Sequence, residues 1–352
     1  MRRVLSFLGK TLRGTTVLSA YAYLAAVIGF TAFVRYYATD SWFSAVCLYL
    51  PRHVFLLPIP CLALALVLAK RRHALWTQGI SLGVVLFPLM GLRLPGPPSG
   101  RAETKSATLR VLSFNVDSGY AGVTPIVDAI TRIDADIVAI QEAKGATGEL
   151  LTALARHYRY VEEHPYSLLA SRFPIVEVTA HEKLAIAPHP RSPRFQRHLL
   201  ELPSGRLAFY NVHPISPRGA LNIHRFRGAF RAFWSGQAVN RETISELEYN
   251  VQLRRAQIEA VSRLARAEPY PVVLAGDFNL PALSQVFHAN LDSFQDGFAV
   301  AGAGFSYTFP ARFPWMRLDR VLASYPLGIV DFDVDCAGLS DHRCVVAELR
   351  LP

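Results

Sequence analysis

The 352-residue chain carries 37 Lys and Arg against 27 Asp and Glu, a formal net charge of +10, and 51% of its residues are hydrophobic. That length suits one large domain plus an appendage, and a mean hydropathy of +0.22 is high for a wholly soluble chain. Residues 1–100 hold ten Lys and Arg and one acid, Asp40, whereas residues 101–352 hold 27 basic and 26 acidic residues, so the body lacks the broad positive field of a nucleic-acid-binding domain.

Three apolar runs come first, at residues 16–34, at a stretch that ends at Ala69 and is broken early by Pro51, Pro58 and Pro60, and at residues 74–92. Each can cover the ~30 Å hydrocarbon core as a helix, so residues 1–93 are expected to be a membrane anchor of three transmembrane helices. A cleaved signal peptide does not fit a first run that two others follow. Arg2, Arg3, Lys10 and Arg13 precede the first run, and Lys70, Arg71 and Arg72 separate the last two. Positive residues stay inside, so a multi-pass protein of the cytoplasmic membrane is expected, with a periplasmic body. Tyr36, Tyr37 and Trp42 suit interfacial anchors. No ionisable residue marks a transport path, and the anchor is read as a tether. Residues 94–107 form a Pro/Gly/Ser linker, and residues 108–352 are the body.

In that body, residues 109–114, 136–140, 167–171, 176–179, 198–202, 207–210, 272–275, 318–323 and 344–349 read as strands. Residues 125–132, 148–157 and 245–267 read as helices. Strand after strand meets a polar residue: Asn115, Glu142, His213, Asp277 with Asn279, and Asp341 with His342, while Asp319 lies within one. Singly, each is an ordinary turn or capping residue; together they are the pattern by which catalytic groups assemble from neighbouring strand ends. No cysteine shows metal-ligand spacing; Cys336 and Cys344 flank a polar loop and could pair in an oxidising compartment, though two reduced, partly buried thiols are expected.

The segments Ser-Phe-Asn (113–115), Ile-Gln-Glu (140–142), Ser-Arg-Phe-Pro-Ile (171–175), Asn-Val-His (211–213), Gly-Asp-Phe-Asn (276–279), Arg-Leu-Asp-Arg-Val-Leu (317–322) and Ser-Asp-His (340–342) resemble the endonuclease/exonuclease/phosphatase superfamily, the deoxyribonuclease I-like group. The resemblance runs from Leu109 to the C-terminus. It implies a four-layer α/β sandwich of two packed mixed sheets flanked by helices, and Mg²⁺-dependent hydrolysis of a phosphoester, with Mn²⁺ as the other candidate ion. Glu142, with Asn115 and Asp341, is expected at the metal. His342 is the base candidate, oriented by Asp319, while Asp277 competes for the base role and with Asn279 would position water. His213 would stabilise phosphoryl charge, and Asn211, Arg320 and Arg172 would touch substrate.

An arginine-rich stretch, residues 191–231, contains Phe226 and Phe230 and is followed by Phe233 and Trp234 at helical spacing. It reads as an amphipathic helix, either packed on the domain or lying on the outer leaflet. The layout is similar to VanJ-type bacterial membrane proteins. That similarity favours lipid-linked phosphates such as polyprenyl pyrophosphate, with a membrane-tethered nuclease as the alternative.

Overall fold

Strand β1 (Thr108–Asn115) carries Leu109 and Val111 and then Ser113 and Asn115 on one face, since alternate residues of an extended chain point the same way. The same passage from apolar to polar occurs along β2 (Ile137–Gln141), β7 (Gly205–Val212) and β8 (Val272–Asp277). Ile137, Ala139, Leu207, Phe209, Val273 and Ala275 fill one shared core, and Gln141, Asn211 and Asp277 continue the same rows. The opposite faces are apolar toward the site end of each strand. Leu112, Phe114, Val138 and Ile140 pack under the helices Val123–Ile133 and Thr147–Leu154, and Ala208, Tyr210 and Leu274 under Arg241–Arg266.

The computed structural model describes residues 2–37, 41–96, 107–165, 167–179, 181–186, 190–218 and 241–352. The remaining strands are β3 (Tyr160–His164), β4 (Ser167–Ser171), β5 (Ile175–Thr179), β6 (Phe195–Leu202), β9 (Gln295–Asp296), β10 (Asp319–Ala323), β11 (Gly328–Asp335) and β12 (Cys344–Arg350). They form two six-stranded sheets, β11-β12-β1-β2-β4-β3 and β5-β6-β7-β8-β10-β9. Each has one parallel pair at its centre, β1 with β2 and β7 with β8, and antiparallel neighbours outside. The sheets stack face to face with helices on the outer sides, which is the expected sandwich. The polar ends lie together: the C-terminal ends of β1, β2, β7 and β8 meet the N-terminal ends of β10 and β12, and Asp319 stands opposite Asp277 in register.

Gly276 permits that register. A Cβ there would lie 1.8 Å from the Val212 carbonyl oxygen, a backbone atom with no room to move. Gly276→Ala should therefore cost at least about 3 kcal/mol of stability, by overpacking between two central strands. Denaturant unfolding checks this, and a loss under about 1 kcal/mol would show that the strands can separate locally.

The N-terminal part departs from the expected three spans. Among the described residues one helix, Arg13–Tyr37, is long and apolar enough to cross a membrane, a property that core helices and signal sequences share. The second run is split into Trp42–Tyr49 and Arg52–Leu68, bent by 71°, where Pro51 and Pro58 withhold backbone donors. The third gives Trp76–Val84 and a π-helical turn, Val85–Leu89, with Pro88 inside. At ~1.5 Å per residue these span about 21 Å, too short for the hydrocarbon core. Among the described residues, one candidate span, or two if the bent pair counts as one, stands where three spans were expected.

The N-terminal part is also more than a tether. Val34, Leu48, Tyr49, Val85 and Leu89 share an apolar cluster with Leu283, Tyr307, Phe309, Met316 and Leu318 of the body. The Tyr49 hydroxyl donates to the Asn279 carbonyl (2.6 Å), and Tyr307 to that of Met90 (2.7 Å). Residues 97–106 of the expected linker and residues 219–240, which hold Phe226, Phe230, Phe233 and Trp234, lie outside the described residues.

Cys336 and Cys344 are joined in a disulfide, with Cα atoms 5.4 Å apart, where two thiols were expected. The reason is β11, a strand the sequence pattern did not reveal. It pairs antiparallel with β12 and sets Asp335 opposite Cys344, so Cys336 arrives beside its partner.

Candidate active site

Asn115, at the end of β1, donates through Nδ2 to Glu142 Oε1 and to Asp277 Oδ2, 3.1 Å each. It therefore bridges a carboxylate of each sheet. Its Oδ1 accepts from the Asp117 amide (3.1 Å), which fixes the orientation of the carboxamide. Glu142 follows β2 with φ of +52° and Asn279 follows β8 with φ of +50°, left-handed conformations that cost energy in residues with a side chain. Such strain at two adjacent polar loops marks a site held by its surroundings.

His213 lies with Nε2 3.1 Å from Glu142 Oε1 and 3.8 Å from Asp277 Oδ2. Arg194 Nη2 approaches its Nδ1 at 3.2 Å, and its Nε donates to the His213 carbonyl. The Glu142 carboxylate only accepts, so the His213 ring carries a proton on Nε2, facing the carboxylates. His342 donates from Nδ1 to Asp319 Oδ2 (2.8 Å), while its Nε2 lies 3.7 Å from Asp277 Oδ2. Asp277, Asp319 and His342 are all buried.

Burial disfavours the His342 imidazolium, but Asp319 and Asp277 outweigh it and raise its pKa to about 9. Burial likewise pushes Glu142 up, and His213, Asn115 and Arg218 bring it down to about 2. At neutral pH the site thus holds an ionised Glu142 and a protonated His342. Two groups, Glu142–His213–Asp277 and Asp277–Asp319–His342, have ligand atoms within 4.8 Å of one another. The first, with two carboxylates tied by Asn115, offers the hard oxygen donors that Mg²⁺ and Mn²⁺ take.

Of the residues expected from sequence, Asn115, Glu142, His213, Asp277, Asn279, Asp319 and His342 come together, and four others fall differently. Asn115 presents amide protons, so it orients the carboxylates and does not itself offer an oxygen. Asp341 lies in neither ligand group, and its carboxylate is held by Arg218. Asn211 donates to the Ile140 and Leu168 carbonyls and accepts from Gln141, joining the two sheets at the floor of a cleft that His213 and Arg194 also line. Arg172 binds Asp134 and Asp136 at the far end of β2, since β4 runs antiparallel to it. Arg320 is wholly buried on Asp296 (2.9 Å) and the Leu280 carbonyl, 4.0 Å over the Phe287 ring. Arg320→Leu should therefore lower stability by about 3 kcal/mol with turnover per folded molecule unchanged. Unfolding curves read beside kcat check this, and a kcat loss beyond tenfold would return Arg320 to the site.

Sequence reasoning missed Asp117, Arg218 and Arg194. Burial and its neighbours Asp341 and Glu142 raise the Asp117 pKa. Its signal was its place two residues after Asn115, on the same turn. Arg218 spans Asp341 and the Phe309 ring (4.5 Å), with Nη2 3.4 Å from His342 Nε2.

Ionised oxygens beside two imidazoles, sunk at the joined edge of two mixed sheets, define a metal-dependent hydrolase of phosphoester bonds. Residues 112–342 match the Endonuclease/Exonuclease/phosphatase family, and the chain belongs to it. Its fold is that of the endonuclease/exonuclease/phosphatase from Beutenbergia cavernae DSM 12333, at 17% identity over 69% of this chain and 72% of that one, TM-score 0.50. SmcL is similar in fold, at 14% identity over 70% of this chain and 99% of that one, TM-score 0.50. No curated protein matches the chain.

Proposed function

We propose that the protein is a membrane-attached phosphoester hydrolase whose substrate is a lipid-linked phosphate, polyprenyl pyrophosphate being the representative case. The observation that carries this is the seating of the apolar N-terminal helices on the rim of the site, where Tyr49 bonds the backbone of Asn279. A body on the outer side agrees with the disulfide, which persists in oxidising compartments. It also agrees with the basic ends: Ala20 packs with Leu66 and Ala74, so Arg13 and the turn of Lys70, Arg71 and Arg72 lie at the end away from the body.

In this reading Glu142, with Asp277 beside it, holds the divalent ion, which neutralises charge on the phosphoryl oxygens when bound. His342 already carries a proton, so Asp277 takes the proton of the attacking water and His342 gives one to the departing oxygen. The physical reason for moving the base role from His342 to Asp277 is the pair of carboxylates that keep the imidazole charged. Asp319 holds its tautomer, and Asn279, whose amide caps Asp277 Oδ1 at 2.9 Å, fixes the base. His213, with Nε2–H turned inward, stabilises phosphoryl charge.

The test is phosphate release by the full chain in lipid nanodiscs, with Mg²⁺, from polyprenyl pyrophosphate, inositol phosphates and oligonucleotides. Preferred release from the lipid is expected. Cleavage confined to oligonucleotides would make the protein a membrane-tethered nuclease instead.

A further inference from the structure

Beside the catalytic cluster lies a cleft of about 200 Å³ walled by Tyr49 and Pro51 of the N-terminal part and by Phe309, Trp315 and Met316 of the body. Its inner end touches the site. Asn279 and Arg218 line it, and the Phe309 ring lies 4.8 Å from that of His342. Apart from Ser216, beside Arg218 in the chain, its other walls are apolar and aromatic, so a charged phosphoryl group has no reason to enter beyond Arg218. The apolar surface continues outward. Phe313, 65% exposed, packs on His53 (5.5 Å), which adjoins the exposed Val54 and Leu57 of the N-terminal helices.

We infer that this cleft is the subsite for the hydrocarbon chain of the substrate, entered from the N-terminal helices and ending where Arg218 and His342 meet the phosphate. The inference rests on the reading of the protein as a hydrolase of lipid-linked phosphates, and it adds where the lipid lies and which residues recognise it. The occupant is a single aliphatic or isoprenoid chain joined through phosphate. Both halves of the chain build the wall, so recognition requires the N-terminal part to be seated on the body.

Two measurements on the full chain in nanodiscs test it. The first is turnover of ethyl, hexyl and decyl diphosphate. KM should fall by at least tenfold from ethyl to decyl with kcat little changed, because each buried methylene adds about fourfold to binding. Trp315→Ala and the milder Met316→Ser should flatten that dependence and leave ethyl diphosphate turnover as it was. The second is calorimetric binding of methyl- and decylphosphonate, which needs no catalysis. Decylphosphonate should bind at least tenfold tighter to the wild type than to Trp315→Ala. An equal chain-length preference in wild type and both variants, or none in the wild type, overturns the subsite. Tight, Trp315-dependent phosphonate binding without turnover of any diphosphate would keep the subsite and overturn the hydrolytic reading.

Discussion

Asp319→Asn is expected to lower turnover by about three to four orders of magnitude with the fold intact, the size seen when a catalytic imidazole loses the carboxylate that orients it. Asp319 accepts the Nδ1 proton of His342 at 2.8 Å in a buried setting, and it is the first group that opposes burial in holding the imidazole charged. A carboxamide can neither balance that charge nor select the tautomer. The His342 pKa should fall from about 9 toward or below its ordinary value, which NMR titration of the metal-free protein measures.

The same pair sets a stability slope. A histidine whose folded pKa lies above its unfolded value stabilises fully below the unfolded pKa, near 6.5, and loses that contribution as pH rises through the folded value, about 9. The melting temperature of metal-free wild type should therefore decline across that window, and Asp319→Asn should lack the decline. Parallel slopes in the two proteins would mean that His342 is not held charged by Asp319.

Glu142→Gln should reduce turnover about a thousandfold, roughly 4 kcal/mol of transition-state stabilisation, and weaken Mg²⁺ and Mn²⁺ binding at least a hundredfold. Glu142 is kept ionised by His213, Asn115 and Arg218, with a pKa near 2, so it offers its charge at every working pH. Glutamine keeps the hydrogen bond from Asn115 but not the charge. Calorimetric titration with each ion separates lost binding from lost turnover. Unchanged ion affinity beside lost turnover would move the metal to the Asp277–Asp319–His342 group.

Much of the site was legible because it is written in strand parity. Leu109, Val111, Ser113 and Asn115 occupy one face, as do Val273, Ala275 and Asp277, so a row that begins apolar and ends polar places its last residue in the site. The same rule held the answer for Arg320. As the neighbour of Asp319 on β10 it must face the other way, into Asp296 and Phe287. Arg172 was not legible, since its distance from Glu142 depends on β4 running antiparallel to β2, which no local pattern states. Arg218 and Arg194 act through tertiary contacts with Asp341 and His213. The apolar runs near the N-terminus showed hydropathy but not the 71° bend or the short third helix, because prolines break a run without making it polar.

Glu142, His213, Asp277, Asp319 and His342 build one metal-dependent centre. Phosphate release by the wild type and by Asp277→Asn, measured in chelator and then in restored Mg²⁺ or Mn²⁺, tests this most directly. No release is expected in chelator, with recovery on adding the ion in the wild type and none in the variant. Release that continues undiminished in chelator, or that the variant sustains at the wild-type rate, would contradict a single metal-dependent centre.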